Sequence, residues 1–279
     1  MRLFVVASGL SMSLLAPAFA ETAKSPVQLA PHRAVYDLSL LRAGGSNGVE
    51  NARGRIAMEF GGDACEGYTL KYRQVTILNS TESGSNTVDV QTATYEAGDG
   101  RAMHFKSTSL RQGRIKDEEV DGDARLTPHG SLNVELKQPR RKAFEAPGET
   151  VFPTEHLKRL IEAGRRGERI LSVRVYDGSN KGEKVYDTLG LIGRRIEPGA
   201  SLASVEEAAR KDNLASLARW PVTISYFEDG KADRMPVYTI SFELFENGIS
   251  RDLKLDYGDF ALKGELKSLD IQKPSDCQR

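Results

Sequence analysis

The sequence predicts a mainly β protein, an antiparallel sheet carrying one or two short accessory helices, and three observations predict it. Apolar and polar residues alternate with period two along most of the chain. The breaks between the alternating runs are rich in Gly, Asp, Asn and Ser, and helical periodicity is confined to two segments. Composition agrees: 279 residues with 39% hydrophobic and 28% charged content exclude collagen, a disordered tail and a multispan membrane protein.

The first element is a leader. Arg2 gives a positive start, residues 3–15 are apolar apart from Ser8, Gly9, Ser11 and Ser13, and Ala18-Phe19-Ala20 supplies small residues two apart. This pattern predicts a secretory signal at 1–20, cut after Ala20. The apolar stretch falls short of the roughly 20 residues that cross a membrane, and no later run of that kind follows. Residues 21–279 are therefore expected to be an exported, single β domain with no transmembrane segment in the mature chain.

Strands begin at His32. Val35, Leu38 and Leu40 alternate roughly with polar residues, followed by Ile56, Met58 and Phe60, by Tyr68, Leu70 and Tyr72, and by Val75 and Ile77. Turn chemistry separates such runs at 44–48, at 61–63, at 82–84, at Gly98-Asp99-Gly100 and at Asp121-Gly122-Asp123. The pattern resumes at 170–176, 184–192, 222–227, 237–245, 249–257 and 261–271, for more than ten strands in all. Short connections favour antiparallel neighbours.

The clearer helix opens at Phe152-Pro153-Thr154-Glu155, puts Leu157, Leu160 and Ile161 on one face, and ends at Gly164 or Gly167. The second is expected from the capping-box pattern Ser204-x-x-Glu207 toward Leu214 and Leu217, within the Ala-rich stretch from Ser204 to Ala218, and stops before Trp220-Pro221. The best candidate seam runs from Ala146-Pro147-Gly148 to Pro153.

Chemistry is sparse. Lys+Arg and Asp+Glu both number 39, so no net field draws the chain to nucleic acid or an anionic membrane. His32, His104, His129 and His156 show no metal-ligand spacing, and no G-x-S-x-G or S-x-x-K pattern nominates a nucleophile. No cofactor is expected. Glu118 and Glu119 are adjacent and point to opposite faces of a strand. The basic clusters Pro139-Arg140-Arg141-Lys142 and 165–169 read as solvated faces, and the Gly-rich 44–48 stretch as a hairpin tip. Tyr176, Tyr186, Tyr226, Phe227, Tyr238, Phe242 and Phe245 fall at strand spacing, most for the core and a minority for an apolar groove.

Cys65 and Cys277 are the only cysteines. In an oxidising compartment one disulfide between them is the economical expectation, with two unpaired buried thiols as the alternative. A bond at that separation ties an early strand to the C-terminus across the seam and argues for one closed or wound sheet.

Several segments together carry a likeness: His32-Arg33-Ala34-Val35-Tyr36-Asp37, Gly54-Arg55, Cys65-Glu66-Gly67-Tyr68-Thr69 ahead of Arg73, Tyr176-Asp177-Gly178-Ser179 with Lys184-Val185-Tyr186, Trp220-Pro221-Val222 with Ser225-Tyr226-Phe227, and Cys277. In order and spacing these resemble the EipB family of cell-envelope integrity proteins, exported by two-membrane bacteria. The resemblance implies a long antiparallel sheet wound into a spiral or open barrel, and a disulfide between Cys65 and Cys277. It also implies no established enzymatic activity, an architecture akin to lipoprotein carriers, and a link to a tetratricopeptide-repeat protein.

The expected function is thus that of a non-catalytic periplasmic protein maintaining envelope integrity, a scaffold or binder of a partner protein or an apolar, lipidic or lipoprotein ligand. The alternative is a periplasmic hydrolase acting on cell-wall or lipid substrates, which requires distant His, Ser and acidic residues to converge.

Overall fold

The structure, a computed structural model, describes residues 26–44, 48–82, 84–112, 115–201, 206–211, 214–228 and 235–273. The expected leader at 1–20, Ser204 and Cys277 lie outside the described residues.

Among the described residues fifteen strands form one sheet. They are β1 (His32–Ala43), β2 (Val49–Asp63), β3 (Gly67–Ser80), β4 (Gly84–Glu96), β5 (Ala102–Arg111), β6 (Ile115–Leu126), β7 (Leu132–Gln138), β8 (Lys142–Ala146), β9 (Thr150–Val151), β10 (Ile170–Val175), β11 (Tyr186–Ile192), β12 (Arg219–Glu228), β13 (Tyr238–Phe245), β14 (Ser250–Asp256) and β15 (Phe260–Ile271). Two helices accompany them, α1 (Pro153–Arg166) and α2 (Glu207–Lys211). The order is β8-β7-β6-β5-β4-β3-β2-β1-β15-β14-β13-β12-β11-β10-β9, so every neighbour pair but β1–β15 is also consecutive in sequence. The predicted β class holds. One correction applies to its antiparallel character: β9 runs parallel to β10, a pairing of two residues that carries no periodicity to read.

The sheet is wound. Laid flat, fifteen strands would separate β8 from β9 by about 65 Å. Yet Pro147, Gly148 and Glu149 alone connect Ala146 of β8 to Thr150 of β9, a span of at most about 14 Å. The expected seam is therefore the place where the chain steps from one edge of the sheet to the other. The Thr150 N–H donates to the Gly130 carbonyl at 3.0 Å across this approach. The loop after β10 packs on the far half of the sheet, with Gly178 and Gly182 against Phe105, Val120 and Leu136. β8 and β9 remain the two ends of the strand order, so the barrel is open.

Alternation sets which side chains face inward. In β7, Leu132, Val134 and Leu136 are buried while Asn133, Glu135 and Lys137 are exposed. The Asp121-Gly122-Asp123 turn is a correction: these residues lie inside β6, paired with β5 and β7. Gly122 serves packing there, because a Cβ would sit 2.7 Å from the Phe105 ring.

The helix expected from Pro153 is observed and ends at Gly167 with φ 79°. It packs on β11 and β12, where Gly190 leaves room for Leu160 and Gly164 for the Trp220 ring. Phe152 offers no side-chain cap. That role passes to Glu96 at the end of β4, whose carboxylate accepts the Thr154 N–H at 3.0 and 3.2 Å. The second helix is shorter than expected: α2 covers five residues, and a separate 3₁₀ turn spans Leu214–Ser216. Its weak Ala-rich stripe is anchored instead through the residue before it, Glu206.

The core has two parts. The larger joins β1, β2, β12 to β15, α1 and α2 around Tyr36, Trp220, Leu244 and Leu262. The smaller lies under β5 to β7, around Phe105, Leu132 and Tyr176. Within the larger, Arg219 and Arg251 both reach Glu243, at 3.0 and 2.7 Å, and Arg251 reaches Glu206 at 3.1 Å. Glu206 also accepts the backbone N–H groups of Leu266 (2.8 Å) and Asp252 (3.3 Å). Asp252 sits at φ 50° in β14, where the register with β13 slips. A buried carboxylate thus satisfies the N–H that the irregular strand leaves open.

Candidate functional site: a two-part interior cavity

A single helix of 14 residues does not fill the concave side of so large a sheet. The first chamber, about 360 Å³, lies between α1 and the apolar wall, and its lining includes Tyr36, Met58, Leu160, Ile224, Ile240 and Phe242. The second, about 440 Å³, lies against β4, β5 and β6 and is lined by Thr92, Thr94, Ser107, Ser109, Glu118 and Asn180 among others. Leu70, Tyr72, Pro153 and Asp177 border both, so the chambers are adjacent.

Each position follows from strand alternation. Lys71 and Arg73 point outward on β3, which turns Leu70 and Tyr72 inward. On β4 and β5 the inward positions carry hydroxyls, and Thr92 and Ser107 form a cross-strand pair at 3.0 Å.

Polar groups tie the interior together. The Tyr72 hydroxyl donates to Gln74 Oε1 at 2.5 Å, and Gln74 Nε2 donates to Thr76 Oγ1 at 3.0 Å and to the Tyr257 hydroxyl at 3.4 Å. The last contact joins β3 to the β14–β15 turn, across strands that are not neighbours. An aromatic row runs Tyr186, Tyr226, Tyr238, Tyr257, Phe260, with successive ring centres 6.0, 5.8, 5.1 and 5.0 Å apart. Burial pushes the Tyr72, Tyr226 and Tyr238 phenols above their ordinary range, so all stay neutral. Burial also drives His156 down to about 4 and Glu96 up to about 7. Asp177 lies deep within the molecule yet keeps accessible surface because it faces the cavity, and its carboxyl is raised by desolvation.

The expected site residues disperse. His32 Nδ1 pairs with the Ala30 carbonyl, His104 with Asp123 on the exposed face, His129 is exposed in the β6–β7 turn, and His156 is buried on α1 beside Thr188. Glu118 and Glu119 do face opposite ways: Glu118 lines the second chamber, and Glu119 pairs with Lys106 and Lys116 outside. Of the basic clusters, Arg140 and Lys142 meet Glu183, and Arg166 meets Glu162 and Glu168. Arg73 lies outside, held by both oxygens of Asp89. Of the seven aromatics, Tyr226, Tyr238 and Phe242 line the first chamber, and Tyr176, Tyr186 and Phe245 are buried, so the chamber takes a larger share than expected. Sequence reasoning passed over Thr92, Thr94, Ser107 and Ser109. Their available signal was position, since they occupy inward slots in register with Leu70 and Tyr72.

Cys65 sits in the β2–β3 turn, its N–H on Asp63 Oδ1 at 2.7 Å. At the same end of the sheet, Ile271 of β15 pairs with His32, which pairs in turn with Phe60 of β2.

Comparison with known proteins adds three findings. Residues 23–273 match the family model described as EipB-like. The chain is 38% identical over 272 residues to the cell envelope integrity protein EipB of Brucella abortus (strain 2308), covering 97% of this chain and 94% of that protein. Its fold is similar to the crystal structure of a beta-barrel-like protein of domain of unknown function DUF1849 from Brucella abortus, with a TM-score of 0.80 and 37% identity over 88% of this chain and 100% of the other.

Proposed function

Because the chain belongs to the EipB-like family, we propose that it is a non-catalytic periplasmic protein that maintains cell-envelope integrity by holding an apolar or lipidic ligand inside its wound sheet. The observation that carries this is the pair of adjoining chambers inside the sheet, the first largely apolar and bordered by neutral phenols. Such a cavity takes an acyl chain or comparable apolar body at little desolvation cost. The relative's name, cell envelope integrity protein, supports the same cellular role.

The open edges offer a second mode, strand addition from a partner chain such as a tetratricopeptide-repeat protein. That mode has less room. β8 has five residues and β9 two, and short edges present few backbone groups for pairing.

The test is direct. Full-length protein purified from an envelope fraction is extracted with organic solvent, and the extract is analysed by mass spectrometry beside an Ile240→Trp variant that fills the first chamber. The parent should release a stoichiometric apolar compound and the variant should not, with unchanged far-UV circular dichroism. Only the parent gene should then restore detergent resistance to a deletion strain. An empty parent that also fails to bind a fluorescent fatty-chain probe overturns the proposal.

We further propose the Cys65–Cys277 disulfide as a clasp. Two strand spacings place Ile271 about 10 Å from Phe60, and the six residues beyond Ile271 reach up to about 20 Å, which supports the pairing. Closing a loop of roughly 210 residues contributes at most about 5 kcal/mol. Non-reducing peptide mapping should recover one linked peptide, and separate Cys65 and Cys277 peptides would refute it. Cell fractionation with N-terminal sequencing should find the mature chain in the periplasm, starting at Glu21.

A further inference from the structure

The two chambers differ in chemistry, and the difference names the class of ligand. The lining of the first is carbon apart from phenols, Ser250, Asp177 and a neutral His156. The lining of the second contains four hydroxyl side chains on β4 and β5, the carboxylates Asp117, Glu118 and Asp177, Ser179 and Asn180, and, among the described residues, no lysine or arginine. Among the described residues of the β5–β6 hairpin, Arg111 is engaged by both oxygens of Asp117 at 3.0 and 3.1 Å. Glu118 accepts the Lys181 N–H at 3.3 Å, and Asp177 accepts the Ser179 N–H at 2.9 Å. Each of these carboxylates retains acceptor capacity beyond those bonds.

Resting on the lumen reading above, we infer that the second chamber receives the polar head of an amphiphile, and that this head donates hydrogen bonds and bears no negative charge, as an amine or a polyol does. Charge complementarity selects this head. A phosphate, sulfate or carboxylate head would meet Glu118, Asp177 and an Asp117 already paired with Arg111, with no lysine or arginine among the described lining residues to receive it, in a partly desolvated space where like-charge repulsion is weakly screened. An ammonium or hydroxyl-rich head instead finds acceptors at Asp177, Glu118, Thr92 and Ser107. The chambers meet at Asp177 and Tyr72, so a tail beside Phe242 and Ile240 leads its head directly toward Thr92 and Ser107.

The experiment titrates the full mature chain, by calorimetry below micellar concentration, with three probes of equal tail length: dodecylamine, dodecyl glucoside and dodecanoate. The inference expects the amine, the glucoside or both to bind on the order of tenfold tighter than dodecanoate. Asp177→Asn, which keeps the Ser179 contact, should erase most of any preference for the amine. Thr92→Val with Ser107→Ala should weaken the glucoside several-fold. Which probe leads distinguishes a cationic from a polyol head. Dodecanoate binding as well as the others, with no effect of Asp177→Asn, overturns the head assignment and leaves the lumen reading standing. Failure of all three probes, together with an unoccupied protein from the envelope, overturns both.

Discussion

The wall from β12 through β15 and β1 to β2 and the wall from β4 to β6 belong to one sheet and obey one alternation, yet they spend their inward positions differently. On the first, the inward set is Tyr36, Ile56, Ile224, Phe242 and Leu255, an apolar wall that faces the first chamber beneath α1 and is backed by the Arg219, Glu243, Arg251 and Glu206 network. On the second, inward Thr and Ser replace the branched aliphatics, and the space in front of them stays open. Both walls are continuous antiparallel ladders interrupted by register shifts, so the ladder alone does not decide which half is packed. Side-chain volume does: a residue large enough to meet α1 makes core, and a hydroxyl makes a wall.

The strongest way to break this contrast is to cut the network behind the apolar wall. Glu206→Ala leaves two guanidiniums facing the single Glu243 carboxylate and orphans the Leu266 and Asp252 N–H groups. Denaturant unfolding should show a loss of about 3–5 kcal/mol. A loss under 1 kcal/mol would mean that the larger core does not depend on its charged brace.

The next test sits where the two walls meet α1. Glu96, pushed up to about 7 from 4.5, favours the folded state while protonated. Its contribution is complete below pH 4.5 and is lost as pH rises through 7. His156, driven down to about 4 from 6.5, favours folding while neutral, so its contribution is complete above 6.5 and is lost as pH falls through 4. Each is worth about 3 kcal/mol, with opposite slopes that offset each other over much of the interval. Glu96→Gln should therefore steepen the fall in melting temperature on acidification relative to the parent, and His156→Gln should flatten or reverse it. Parallel curves for all three proteins between pH 4 and 8 would refute the opposition.

A smaller effect sharpens the picture of the packed side. Gly164→Ala brings a Cβ to 2.9 Å from the Trp220 ring, an overpacking expected to cost about 1–3 kcal/mol, readable as a lower denaturation midpoint. Smallest is the hydroxyl wall. Thr92→Val with Ser107→Ala removes both partners of one hydrogen bond facing open space, and stability should change by less than about 1 kcal/mol. A large loss there would make the second wall structural after all.

How much of this was legible follows from the same physics. Period-two patterning located most strands and Pro153 located α1, because inward and outward environments differ sharply where the inward side is packed. Gln91-Thr92-Ala93-Thr94 and Ser107-Thr108-Ser109 lack that contrast, so alternation is blind to the face that lines the second chamber. Asp121-Gly122-Asp123 has turn composition and yet continues β6, since Gly122 answers to Phe105 on the neighbouring strand. The cap on α1 comes from Glu96, 58 residues before Thr154, and local motifs do not register a partner so remote. A cavity is more distant still, being a property of how far the sheet curls and how little α1 fills it.

The pairing of β1 with β15 has a consequence in time. Every other neighbour pair joins consecutive strands, so two meanders are able to zip up locally as the polypeptide emerges. Only the last strand welds them, and it does so alongside the first. Until the final dozen residues of the ladder have been delivered, the molecule remains a pair of unsealed halves, each presenting a long flank to chaperones, proteases and its own siblings. A nascent chain of this design is thus most vulnerable at the very moment before completion, and a premature stop near β15 abolishes the weld while sparing nearly all of the parts.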